Sequence, residues 1–248
     1  MQPNNPVVIK IPCKLYLVKQ ERPKEIFDHF NQEIRPQLRE SPYRILVCKY
    51  LSHDLHSLPD NIMVDSHFNA QDTMIEKVQL IDLENAAYLP GGRCIKGMPA
   101  GNDNWRSPEA HLKGELNKPT DMFSFGIVCI YAILGRAILG PDKDFRNHES
   151  KGVLPALIRL QRQVSYFGDV DGITGFLKHV GDDVISCQLL RMLWDERADE
   201  NIGYKAFSAW SDVLDSGFKD LIQGLTNLDP AKRLSARQAL GHPWFTRI

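Results

Sequence analysis

Apolar side chains at Phe218, Leu221, Ile222, Leu225 and Leu228 recur with the spacing of one helical face, predicting a helix over Phe218–Leu228. A Leu/Ile pattern predicts a second helix over Leu154–Val164, and Val184–Trp194 reads as a third. Asp121 to about Leu134 reads as a fourth, with Thr120 as its cap and Gly135 ending it. Ser235 caps a last short helix that reaches Leu240. Alternation instead predicts strands at Val7–Ile11, Lys14–Lys19 and Arg44–Tyr50. The branched runs Ile62–Val64 and Val78–Ile81 also read as strands. Between the first strands, Lys24–Leu38 looks helical and is broken late by Pro36.

If the two branched runs pair antiparallel, the entrance of the first lies beside the exit of the second. Asn61 and Asp82 would then meet at one end. An amide oxygen and a carboxylate suit a hard cation such as Mg²⁺, which in turn holds phosphate. The pair is therefore a candidate half of a phosphoryl-transfer site.

Glycine usage separates two regions: all seventeen glycines lie at or beyond Gly91. Residues 1–58 are short, strand-like and charged, and 59–248 are richer in helix signals. The stretch Gly91–Ser107 is irregular, its glycine, proline and asparagine residues supplying turns. The longest apolar stretch, Met122–Leu139, is interrupted by Ser124, Gly126, Gly135 and Arg136, so it reads as a buried helix and not as a membrane span.

The 248 residues carry a formal net charge of -1, with 25% charged and 43% hydrophobic positions, as in an ordinary globular protein. That balance gives no electrostatic case for nucleic acid or an anionic membrane. Cys13, Cys48, Cys94, Cys129 and Cys187 lie far apart, without zinc spacing or a disulfide framework, which predicts a reducing compartment. The N-terminal run from Met1 to Pro6 has no basic region leading into an apolar core, so no signal peptide is expected.

Several segments together resemble the eukaryotic protein kinase family, of the serine/threonine type and in the manner of fungal kinase-like proteins. Leu80-Ile81-Asp82-Leu83-Glu84 resembles the strand and metal-binding Asp of the Asp-Phe-Gly motif. Trp105-Arg106-Ser107-Pro108-Glu109-Ala110 resembles the Ala-Pro-Glu motif that closes the activation segment. Asp121-Met122-Phe123-Ser124-Phe125-Gly126 is similar to the start of the central helix of the helical lobe. Leu228-Asp229-Pro230-Ala231-Lys232-Arg233 and His242-Pro243-Trp244-Phe245 resemble the C-terminal signature. The order and spacing fit across nearly all of 59–248, and weakly across 14–58.

The resemblance implies an α+β, kinase-like two-lobe fold, with a truncated β-rich N-lobe and hinge remnant at 1–58 and a mainly helical C-lobe at 59–248. It implies ATP and Mg²⁺, the metal held by Asn61 and Asp82. Lys19 and Glu33 fit the strand lysine and helical glutamate that position phosphates, and Tyr50 and Leu51 fall at the hinge that receives adenine. Glu109 and Arg233 would form a buried ion pair, and Asp121 would brace the catalytic loop. The segment from Asp82 to Glu109 would be the substrate platform. Partners would be a protein substrate, or a protein bound through the C-lobe, in an intracellular setting, cytoplasmic or nuclear.

Four departures qualify the activity. No glycine precedes Lys19, so the Gly-rich phosphate loop is missing. The position of the catalytic Asp, five residues before Asn61, holds His56, and the lysine two residues later is replaced by Leu58. A neutral His56 cannot orient a hydroxyl as an anionic Asp does. The hinge and the catalytic loop should be separated by about fifty residues, and only about ten are present. That predicts a deletion between roughly Leu58 and Pro59, through exon skipping, a gene-model error or true loss. Finally, Leu83-Glu84 stand where Phe-Gly is expected. The missing helix should leave the face around Phe123, Phe125, Ile127 and Ile130 partly uncovered, giving marginal folding or burial against a partner. The expected function is impaired phosphoryl transfer to Ser/Thr of proteins. The alternatives are a pseudokinase or scaffold, a truncated gene product and, with less support, a small-molecule kinase of related fold.

Overall fold

The computed structural model describes residues 62–68, 73–80, 87, 89, 92–198 and 203–245. The chain divides into two compact units, 1–86 and 87–248. In the first, strand β1 (Ile62–Phe68) pairs antiparallel with β2 (Thr73–Leu80). Both strands are longer than the branched runs that announced them. The register sets Ile62 opposite Leu80 and Val64 opposite Val78, and it slips between Asp65 and Ser66. Such a bulge adds one residue to one strand and sharpens the local twist.

The second unit is helical. Helix α1 (Pro108–His111) is a single turn. Helix α2 (Lys118–Leu134) follows Asn117, with Pro119 in its first turn, where a missing N–H costs nothing. Gly135 ends it with φ 67°, a left-handed conformation that glycine adopts without a Cβ penalty. The start therefore lies ahead of the expected one. Thr120 is inside the helix and does not cap it.

Four helices begin with an aspartate whose carboxylate accepts a backbone N–H three residues on, satisfying a donor that the helix leaves orphaned. They are α3 (Lys143–Ser150) after Asp142, α5 (Val170–Val180) after Asp169, α6 (Val184–Glu196) after Asp183 and α7 (Ser216–Leu225) after Asp215. Helix α4 (Pro155–Phe167) starts on a proline, and α8 (Ala236–Leu240) carries a capping box between Ser235 and Gln238.

Two apolar clusters hold these helices. In the first, Phe123, Ile127 and Ile130 of α2 pack with Phe218, Leu221, Ile222 and Leu225 of α7, and with Trp105, Phe207 and Trp210. The approach of α2 to α7 is close: a Cβ on Gly126 would lie 2.6 Å from Cγ2 of Thr226. The second joins Leu160 and Val164 of α4, Ile173 and Phe176 of α5, and Leu190 and Leu193 of α6, with Leu228. The expectation for the α2 face holds at one of its four positions. Phe123, Ile127 and Ile130 are fully buried, whereas Phe125 stays 40% exposed, with Ile133 at 54% two turns on.

Arg162 of α4 is buried beside α3. It donates to the carbonyls of Ile138 and Gly140, to the carboxylates of Asp142 and Asp144, and to the Tyr204 hydroxyl. Burial works against the charged guanidinium, and the bonds it donates to Asp142 and Tyr204 outweigh it. Among the described residues, no helix is long and apolar enough to cross a membrane.

Candidate functional site

From residue 92 the chain runs irregularly until a bridge between Ile95 and Leu116 closes a loop around α1. Within the loop the N–H groups of Trp105 and Arg106 both donate to the carbonyl of Asn102. This turn delivers Trp105 to the first core cluster, edge-on to Tyr131 with ring centroids 5.6 Å apart. Ser107, extended at φ -71° and ψ 160°, precedes the proline that starts α1. That turn sets Glu109 pointing into the protein.

Glu109 meets Arg233 in a two-pronged ion pair, with Nη1 2.6 Å from Oε1 and Nη2 2.8 Å from Oε2. The arrangement is the fork-to-fork geometry that makes arginine–carboxylate pairs strong and directional. The carboxylate's side chain is 1% exposed and the guanidinium's 0%. Arg233 reaches it from beyond the short turn Pro230–Lys232, which is capped by Asp229. Its remaining donors go to the carbonyls of Asn227, Pro119 and Leu228, and its guanidinium lies 5.0 Å from the Phe123 ring centre. Thr120 adds a hydroxyl donated to Oε1 of Glu109 at 2.9 Å. Burial alone would push the Glu109 carboxyl up. The Arg233 charge and its hydrogen bonds overcome that and hold the carboxyl below its usual range.

Asp121 is the fourth residue of α2 and is exposed, with its carboxyl shifted upward by desolvation on the protein-facing side. It makes no side-chain hydrogen bond among the described residues. Lys19, Glu33, Tyr50, Leu51, His56, Asn61 and Asp82 lie outside the described residues. What is described beside the last two is the strand register: β1 begins one position after Asn61, β2 ends two before Asp82, and Ile62 pairs with Leu80. Among the described residues, no group of three or more His, Cys, Asp or Glu side chains is placed to hold a metal.

Of the expected site residues, then, Glu109 and Arg233 are brought together. Two further contributors escaped the sequence. Thr120 was read as a cap, although a hydroxyl just after a proline in a first helical turn is equally free to point sideways. His111 presents no motif at all. Both of its ring nitrogens are buried without a hydrogen-bond partner among the described residues, and burial, with Arg106 next, pushes its imidazole down to about 4.

A protein kinase domain model matches residues 53–245. The dual specificity protein kinase CLK1 of Homo sapiens is 28% identical over 155 residues, covering 57% of this chain and 28% of that protein. The serine/threonine-protein kinase AFC1 of Arabidopsis thaliana is 28% identical over 158 residues, or 58% of this chain and 30% of the relative. The calcium/calmodulin-dependent protein kinase type IV of Mus musculus reaches 43% identity over 60 residues, 21% of this chain and 13% of its own. The chain thus spans less than a third of the length of these relatives.

Proposed function

Because the chain belongs to the protein kinase family, we propose ATP-dependent phosphoryl transfer to Ser or Thr of proteins, impaired in this chain. The buried Glu109–Arg233 pair carries this reading. It ties the segment ending at α1 to the turn before α8, as a substrate platform fixed to a helical lobe requires. Asn61 and Asp82 would hold Mg²⁺, which when bound neutralises charge building on the transferred phosphate. Lys19 and Glu33 would position the ATP phosphates, and Tyr50 and Leu51 would face adenine. Asp121 would brace the catalytic loop, and His56 would stand where the family has its carboxylate base. His56 in place of the family's carboxylate, and Leu58 in place of a lysine, account for the impairment. The division into an incomplete N-lobe at 1–58 and a helical C-lobe at 59–248 belongs to the same proposal. So does an intracellular, reducing location, which suits the free thiols of Cys94, Cys129 and Cys187.

The test is radiolabel transfer from ATP to a generic protein substrate. Weak incorporation, abolished by Asp82→Asn, is the expected result. Incorporation that Asp82→Asn leaves intact overturns the metal assignment. The replacement of both catalytic-loop residues, beside a kept ion pair, favours a second reading as a pseudokinase or scaffold that binds a protein through its helices. Sequencing the transcript across codons 50–65 separates both from a truncated product.

A further inference from the structure

The segment read above as the substrate platform is fastened to α4 by a charged latch. Asp103 accepts from Nη1 of Arg106 at 2.7 Å. Arg106 also donates Nε to the carbonyl of Ala100, at 2.9 Å, and Nη2 to that of Gly101, at 2.7 Å. From the facing helix, Arg159 approaches the same aspartate at 3.9 Å and donates twice to Oδ1 of Asn104, at 3.3 and 3.2 Å. One turn further along α4, Gln163 donates to the Arg106 carbonyl at 2.6 Å. The arginine side chains are 14% and 10% exposed, and the aspartate is 56% exposed. A half-open carboxylate therefore sits between two largely covered guanidiniums, paired closely with one and at longer range with the other.

Kinase segments of this kind are often ordered by phosphorylation, through new pairs between arginine and the added phosphate. This chain offers little to modify. Between Asp82 and Glu109 the hydroxyl-bearing side chains are Tyr88 and Ser107. Ser107 is fully buried at the start of α1, and Tyr88 lies outside the described residues. The anion position that a phosphate would take beside Arg106 is already filled by Asp103, and each nitrogen of that guanidinium already makes a contact.

We propose that Asp103 is a built-in anion that holds residues 97–107 against α4, so that this platform is ordered without phosphorylation. The role of the segment as platform rests on the function proposed above, whereas the latch does not depend on phosphoryl transfer. Its readout is hydrogen exchange on the full chain, followed at the Trp105 and Arg106 amides. In Asp103→Asn these amides should exchange roughly fivefold faster or more, because losing a charge-assisted pair favours local opening. The amides of Leu221 and Ile222 in α7 should not change, which excludes general unfolding, and Asp103→Glu should recover part of the protection. Phosphatase treatment of the unchanged chain should have no effect. Unaltered exchange in Asp103→Asn overturns the proposal, and so does a phosphatase treatment that speeds the same amides. Absence of ATP-dependent transfer would count against the proposed function and leave this result untouched.

Discussion

At the residue scale, Glu109 and Arg233 are coupled so closely that neither can be removed alone without leaving a buried charge. Glu109→Ala or Arg233→Ala should each cost about 3–5 kcal/mol in chemical denaturation. The double variant should cost less than the sum, because the second loss removes the charge stranded by the first. His111 predicts a pH effect of definite sign. Its pKa is depressed in the fold, from 6.5 to about 4, so the fold favours the neutral imidazole. The stability it contributes is full above pH 6.5 and is lost as pH falls from there toward 4. The loss amounts to at most about 3 kcal/mol, at about 1.4 kcal/mol per pH unit. Denaturation series for the native chain and His111→Phe should diverge over that window, the variant showing the shallower decline. Curves that stay parallel from pH 7 to 4 would remove His111 from the account.

At the element scale, the contact of α2 with α7 depends on Gly126. A Cβ there meets Thr226 at 2.6 Å and Leu225 at 3.1 Å, so Gly126→Ala should destabilise by about 1–3 kcal/mol even though alanine is the better helix former. An unchanged or raised denaturation midpoint would show that the two helices can separate freely. This scale also separates what the sequence made legible from what it did not. Helices with a strong apolar period, α2, α4, α6 and α7, were readable to within a few residues at their ends. Helix α3 was not, because Phe145 is its one buried side chain and its anchor is the distant Arg162. Helix α5 was missed because Gly172 and Gly175 dilute its pattern. Those glycines are there for room, since a Cβ on Gly175 would overlap the Asp229 carboxylate. Both helices nevertheless follow an aspartate cap, the one local signal that could have found them.

For the whole molecule, the two halves of the candidate site differ in legibility. The Glu109–Arg233 pair was readable across a long separation because the motifs around each residue are specific. Thr120 and the Asn227 carbonyl were not readable, because they join through backbone placement that only the fold creates. The outer face of α2 belongs to this scale too. Phe125 and Ile133 are exposed, while Ile127 and Ile130 are sealed. Phe125→Lys should therefore change stability by less than about 1 kcal/mol and improve solubility. Ile130→Ala should cost about 2–5 kcal/mol. A large loss for Phe125→Lys would mean that this face is covered in solution. The ion pair also has a consequence in time. Its partners are 124 positions apart, so a ribosome adding about 5–20 residues per second makes Arg233 about 6–25 s after Glu109. Throughout that interval the nascent helices must keep an unneutralised carboxylate at the surface. The lock therefore closes only once Arg233 has been made, and a chaperone that engages this domain before then would find Glu109 still in water.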